Sequence, residues 1–325
     1  MNVLVTGGAG YIGSHVCKAL GRAGFNPIAF DNLSRGNKDA VGPNYDWLGG
    51  FIQGDILDDG AVLDALRITK PIAVIHLAGK AYVAESFENP AAYYMTNVVG
   101  TLNLIRAMAF EDVQNLVFSS SCAVYGRPDE LPIRDTADIN PVSPYGQSKA
   151  MAEAMIWDFE AAHGIRAIRL RYFNAAGSDP EGEIGERHDP ETHLIPLAIA
   201  AARGGAPLVV NGNTHPTKDG TCIRDYVHVT DLANAHVLAL KQGLLREIPI
   251  CMPFNLGTGK GHSVIEVLDE VEKLSGAKVP GSIGPARIGD PPELWCSAGR
   301  AREILGWEPK YTLADMVKHA WDFNG

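Results

Sequence analysis

Thr6-Gly7-Gly8-Ala9-Gly10-Tyr11-Ile12-Gly13 lies between a compact apolar run, Val3-Leu4-Val5, and a stretch from Ile12 to Leu20 whose apolar residues recur with helical spacing. Two glycine registers fit a phosphate-binding turn here: Gly7, Gly10, Gly13 and Gly8, Gly10, Gly13. A pyrophosphate needs backbone N–H groups at a helix N-terminus, and glycines let the backbone approach it. Glycines alone also fit an ordinary tight βα turn. In this chain a strand precedes them, a helix follows, and Asp31 closes the next strand 18 residues beyond Gly13. A carboxylate at that place accepts both hydroxyls of an adenosine ribose and repels a 2′-phosphate. The combination points to a bound dinucleotide and favours NAD over NADP, with Arg35 the one neighbour that would suit NADP.

Outward from this loop the first half keeps one rhythm. Strand-like runs at Pro27–Asp31, Phe51-Ile52, Ile72–Leu77, Leu116–Ser119 and Ile165–Leu170 alternate with amphipathic stretches, among them Pro90–Ala109 and Pro144–Ala162. Continuous apolar strands alternating with helices predict a parallel sheet covered on both faces, an α/β doubly wound (Rossmann) architecture. Ligands bind at the carboxyl ends of such strands, which adds Asn32, Asp55, Ile56, Leu77, Ala78 and Gly79 to the expected cofactor contacts. Past about Asn174 the rhythm is lost. Gly177–Pro190 is dense in Gly, Pro, Asp and Glu, and helices such as Ser263–Leu274 and Leu313–Phe323 have one apolar face. The expected division is a dinucleotide-binding domain over residues 1–174, with about 223–256 returning to it, and a smaller mixed α/β substrate domain over 175–325.

Length and composition agree. At ~150 residues per domain, 325 residues suit two domains. Hydrophobic residues at 46% and charged residues at 20% describe a globular chain and exclude a disordered or collagen-like one. Its longest uncharged stretches, Met1–Cys17 and Pro90–Ile105, are broken by glycine or asparagine. Both fall short of the ~20 apolar residues that cross a bilayer. A net charge of −10 argues against nucleic acid as a partner. Five scattered cysteines without a CxxC pair, and no basic-then-apolar leader, lead us to expect a reduced, cytoplasmic enzyme.

Tyr145-Gly-Gln-Ser-Lys149 places a phenol and an ammonium on one face of a helix. A free phenol, with a pKa of ~10, is a poor base at neutral pH. A neighbouring positive charge favours the phenolate. Tyr145 then takes a proton from a hydroxyl while hydride leaves the same carbon. Ser119-Ser120-Ser121, at the carboxyl end of the preceding strand, offers a hydroxyl to the same reacting oxygen.

At these residues the chain resembles the extended short-chain dehydrogenase/reductase superfamily and, within it, the UDP-glucose 4-epimerase family. The resemblance runs end to end through TGGAGYIGSH, DNLS, GDI, SSSCAVYG, SPYGQSK, RYFNAAG, DGTCIRDYVHVTDLA, NLGTG and LGWEP. RYFNAAG and RDYVHV are far more specific than the glycine loop. The resemblance implies reversible 4-epimerisation of a UDP-hexose through tightly held NAD, with Tyr145 as base, Lys149 as its electrostatic partner and Ser121 sharing the proton. It also implies cofactor contacts from Gly7, Gly10, Tyr11, Ile12, Gly13, Asp31 and Phe173. UDP-sugar contacts are implied for Ser121, Tyr145, Asn174, Leu194, Arg224, Arg287 and Asp290. A homodimer built on the two long helices, around Tyr93, Tyr94, Met95, Met151 and Met155, is a further implication.

Some positions depart from the best-known bacterial pattern. Lys80 stands one place before the family's NAD-contacting lysine, Thr96 replaces a common asparagine, and Asn211 replaces an aromatic. Leu294, of intermediate size, falls where one side chain helps decide whether an N-acetyl group fits. UDP-pentose, UDP-N-acetylhexosamine and UDP-uronic acid 4-epimerases use the same residues. An NAD-binding redox regulator would have no need of Tyr145 and Lys149 in register. The segment His188-Asp-Pro-Glu-Thr-His193 lacks HExxH spacing and is interrupted by proline, so no metal site is expected.

Overall fold

In the structure, a computed structural model describing residues 1–246, 250–287 and 291–323, the glycine-rich octapeptide joins β1 (Asn2–Thr6) to α1 (Tyr11–Arg22). The chain continues through β2 (Asn26–Asp31), β3 (Gly50–Gln53), α2 (Asp59–Thr69) and β4 (Ala73–His76). After α3 (Val83–Glu88) comes one long helical run made of α4 (Pro90–Tyr93), a wider turn over Tyr94–Val99, and α5 (Gly100–Phe110). Then follow β5 (Asn115–Ser121), α6 (Pro144–His163) and β6 (Arg166–Tyr172).

β1 lies between β2 and β4, and every pairing in the main sheet is parallel. Its seven strands run β10-β6-β5-β4-β1-β2-β3, with β10 (Pro253–Leu256) at the outer edge. Alternation along β1 divides the core. Val3 and Val5 turn toward Val16, Cys17 and Leu20 of α1, and Leu4 turns toward α2, α5 and α6 through Leu66, Leu104 and Ile156. Both faces of the sheet are therefore covered, as the continuous apolar strands require.

The second half is built on β7 (Asn174–Ala176), α7 (Leu194–Ala202), β8 (Leu208–Asn211), β9 (Ile223–His228) and α8 (Val229–Leu238). Beyond β10 come β11 (Gly261–Ser263), α9 (Val264–Ser275), β12 (Gly281–Gly284), β13 (Glu293–Leu294) and α10 (Leu313–Phe323). One expectation is corrected here. Ile223–His228 does not return to the main sheet; β9 is the centre of a second sheet, paired with β7, β11 and β13. Every residue of β9 is buried, Arg224, Asp225 and His228 included, and a strand buried on both faces reads alike in either sheet. α8 and β10 do lie with the first half, α8 against α1 and β10 along β6. A separate core joins α7, α9 and α10 through Ile195, Val267, Val271, Met316 and Val317. Among the described residues no helix is long and apolar enough to cross a membrane.

Candidate active site

The glycine loop opens where the strand order reverses. Gly7 N donates to Phe30 O (2.8 Å) on one side, and Leu77 N donates to Thr6 O (2.9 Å) on the other. Gly7 has φ +73, and a Cβ there would lie 2.6 Å from Ala78 N. On Gly13 a Cβ would lie 2.0 Å from Gly7 O, whereas on Gly10 it would meet only Gly7 O, at 3.2 Å. Gly7 and Gly13 thus allow loop and helix to close on each other, and Gly10 leaves the helix start uncrowded. Gly10 caps α1 without a side-chain hydrogen bond, so the first amides of the helix, from Tyr11 and Ile12, face outward for an anion. These residues fit a dinucleotide pyrophosphate.

Asp31 stands at the end of β2, buried, with Oδ2 accepting from Ala9 N (3.1 Å) and Oδ1 from Leu33 N (2.8 Å). Burial pushes its carboxyl pKa up, and the two amides pull it back down. The same carboxylate therefore braces the glycine loop. Asn32 donates to Asp55 (2.9 Å), which joins the ends of β2 and β3, and Ile56 is buried under Gly100. Gly79 faces Asn97 and Lys149: a Cβ on it would lie 3.0 Å from Asn97 Oδ1 and 3.5 Å from Lys149 Nζ. Arg35 is engaged by Glu85 (3.3 Å), by Asp189 O (3.3 Å) and by the face of Tyr82. The Lys80 ammonium pairs with Glu85 at 3.5 Å.

Ser143 caps α6, accepting from Gly146 N (3.1 Å), with Pro144 in the first turn, so Tyr145 enters the site on a defined helix start. Tyr145 and Lys149 are both buried. Burial and the neighbouring Tyr172 raise the Tyr145 pKa, and the Ser121 side chain, within hydrogen-bonding reach, lowers it. Lys149 Nζ donates to Ser119 O (2.8 Å) and lies 5.0 Å from the centre of the Phe118 ring. Burial brings its ammonium down to about 8, partly opposed by Glu153. The lysine is thus directed at the end of β5, and of the groups around Tyr145 it is Ser121 that favours the phenolate. Ser121 Oγ also accepts from Ala123 N (3.2 Å), which fixes the turn after β5.

Two sets of residues missed in the sequence hold this arrangement. Glu153 continues the Tyr145, Lys149 spacing by one more turn, and that recurrence was the available signal. It accepts from Arg171 Nε (2.9 Å) and Nη2 (2.5 Å) and from Ser120 Oγ (2.5 Å), tying α6 to β5 and β6. Asn97, in the wide turn between α4 and α5, accepts from Lys80 N (2.8 Å) and donates to Ser148 Oγ (2.9 Å). His76 is a satisfied packing residue, bonded to Thr6 Oγ1 (2.7 Å) and Thr101 Oγ1 (3.0 Å). The Cys122 thiol is pushed up to about 12 by burial, as in a core cysteine.

The remaining expected sugar-nucleotide contacts come from the second half. Phe173, Cys122 and Leu294 pack in one buried cluster beside Ser121, and Asn174 opens β7 next to Phe173. Leu194 opens α7. Arg224 is buried on β9, with Nη1 donating to Ile223 O (2.7 Å). Arg287 is exposed and bonds Asn211 through Nε (3.3 Å) and Nη2 (3.1 Å) once the Asn211 amide oxygen is turned toward it. Asp290 lies outside the described residues.

Comparison with known proteins agrees with this geometry. The NAD dependent epimerase/dehydratase family is matched over residues 3–255. A UDP-glucose 4-epimerase of Rhizobium meliloti is 46% identical over 99% of this chain and 97% of its own length. The UDP-glucose 4-epimerase of Brucella ovis in complex with NAD superposes with a TM-score of 0.94 at 48% identity, covering 99% of this chain and 98% of that one. A UDP-glucose 4-epimerase of Stenotrophomonas maltophila with bound NAD and formylated UDP-arabinopyranose has the same TM-score at 39% identity, over 99% and 97% of the two chains. The chain belongs to the NAD dependent epimerase/dehydratase family and, within it, to the UDP-glucose 4-epimerases.

Proposed function

We propose that this chain catalyses the reversible 4-epimerisation of UDP-glucose and UDP-galactose, its glycine loop and Asp31 holding NAD tightly; when bound, that cofactor would supply hydride transfer from and back to C4, with rotation of the 4-keto sugar between the two. One observation carries this reading. Ser121, Tyr145 and Lys149 meet at the carboxyl end of β5. On the same edge of the sheet the glycine loop and Asp31 form a dinucleotide cradle.

Tyr145 takes the C4 hydroxyl proton and hands it back on return. Ser121 shares that proton, and Lys149 is the electrostatic partner of Tyr145. Such proton transfer contributes ~10²–10⁴ in rate. Arg224 and Arg287 grip the diphosphate, since guanidinium forks match its oxygens, while Asn174, Leu194 and Asp290 contact the nucleotide-sugar. Phe173 lies on the nicotinamide side, and Leu294 bounds the sugar pocket. The same residues serve a UDP-pentose, and the S. maltophila relative with its arabinopyranose ligand favours that as the second reading.

We assign residues 1–174, with α8 and β10, to cofactor binding and the rest to the UDP-sugar. We further propose a cytoplasmic homodimer paired through the long helices, where Met95, Val99 and Met151 are exposed. A sedimentation mass of one chain at micromolar concentration would contradict the dimer. Tyr145→Phe tests the base: turnover should fall ~10²-fold or more with NAD still bound. Near-normal turnover would remove Tyr145 from that role.

A further inference from the structure

The segment that carries no expected metal ligand by spacing nonetheless folds its side chains together. Glu186, His188, Glu191 and His193 place one ligand atom each within 4.8 Å of all the others. His188 Nδ1 is 3.0 Å from Glu186 Oε1 and 3.8 Å from Glu191 Oε2. His193 Nδ1 is 2.7 Å from the same Glu186 oxygen and 3.1 Å from Glu191 Oε1. Two imidazoles and two carboxylates therefore converge on one point. Tetrahedral zinc, with bonds of about 2.0–2.2 Å, separates its ligand atoms by roughly 3.3–3.6 Å. The four imidazole–carboxylate spacings, 2.7 to 3.8 Å, fall on both sides of that value, so seating an ion parts the tightest pair by roughly half an ångström or more.

The charge balance shows what an ion would replace. The neighbouring acidic trio Asp179, Glu181 and Glu183 has a resident cation, Lys18, whose Nζ lies 2.6, 3.1 and 2.8 Å from the three carboxylates. Among the described residues no lysine or arginine pairs with Glu186 or Glu191, and Glu186 is only 5% exposed. The two imidazoles take that place: when protonated they pair with both carboxylates, and a bound ion would displace their protons.

We propose that Glu186, His188, Glu191 and His193 bind a divalent transition metal of the zinc class, which fastens this segment across the edge of the dinucleotide crevice. The mixed nitrogen and oxygen donors suit zinc, and four protein ligands make the site a closed, structural one. The segment is already anchored to both walls of the crevice. Tyr11, at the start of α1, donates to Gly177 O (2.5 Å) and meets His188 edge-on at 6.1 Å. Tyr82, in the loop after β4, lies 5.7 Å from each histidine ring, and Arg35 holds Asp189 O. A metal there locks the loop over the cofactor, and this consequence rests on the NAD reading above.

The test compares the wild-type holoenzyme with His188→Gln and Glu191→Gln variants, each incubated with zinc chloride and freed of excess by gel filtration. Elemental analysis should find about one zinc per wild-type chain and far less in either variant. The variants should also lose bound NAD several-fold faster on dilution. Thermal melting verifies that each variant is folded, and a variant that fails to fold is replaced by His193→Gln. Wild-type protein that retains no zinc would identify the cluster as metal-free imidazole–carboxylate pairs and overturn the proposal. Equal zinc in wild type and folded variants would overturn it too, by placing the ion elsewhere. Neither readout uses turnover, so an inactive enzyme would contradict the epimerase reading and leave the zinc count standing.

Discussion

Tyr145 shows how one side chain depends on three neighbours. Its burial works against ionisation, and only Ser121 among its close contacts favours the phenolate. The proposed role of Lys149 is to add positive charge during reaction, and at rest that amine is tethered to Ser119 O. Lys149→Met should cost ~10²-fold or more in kcat, with UDP affinity little changed; steady-state kinetics with UDP inhibition would separate the two. Glu153 belongs to the same helix face. Glu153→Gln removes one charge from a pair in which both side chains are about 95% buried, so it should destabilise the fold by ~3–5 kcal/mol in denaturant titration. Leu294 packs with Cys122 and Phe173 beside Ser121. Leu294→Tyr should narrow any acceptance of N-acetylhexosamines, and a wider range would reverse that assignment. Tyr145 and Lys149 were legible because their relation is four residues of helix. The bonds from Glu153 to Arg171 and from Asn97 to Lys80 were not, since they join separate elements and exist only once the sheet is assembled.

At the scale of elements, the β1–loop–α1 unit is the most constrained part of the molecule. Strand, glycines and helix were readable because each is local in sequence. Their reason is spatial: Gly13 touches Gly7, and Gly7 touches the loop after β4. Gly13→Ala should therefore force the loop open and lower NAD retention at least ~10-fold, at a stability cost of about 1–3 kcal/mol. Retention equal to wild type, measured by cofactor absorbance after gel filtration, would show that the loop relaxes freely. The interrupted helix from Pro90 to Phe110 follows a similar logic. Periodicity predicts one continuous helix, and the structure widens its turn at Tyr94–Val99, where buried Asn97 turns inward to the Lys80 backbone. β9 was misplaced for a different reason, because burial on both faces erases the alternation that tells one sheet from another.

The whole molecule carries four histidines that burial keeps neutral. Burial lowers the pKa of His76 and His228 to about 3, and of His15 and His236 to about 4, from 6.5. Below pH 6.5 the unfolded chain takes up protons that the fold refuses at these four positions, so the stability they supply is complete above that pH and drains away as pH falls toward 4. Each such histidine contributes ~1.4 kcal/mol per pH unit in that window. The thermal midpoint should change little from pH 7.5 to 7 and fall steeply from pH 6 to 5; a constant midpoint would contradict this. The central claim is more directly tested by chemistry. Purified protein with no added cofactor should be given UDP-galactose, UDP-GlcNAc, UDP-xylose and UDP-glucuronic acid, and the products separated by sugar configuration. The account predicts conversion of UDP-galactose to UDP-glucose in the absence of added NAD, faster than conversion of the other three. No conversion of UDP-galactose, even after NAD is supplied, would contradict it.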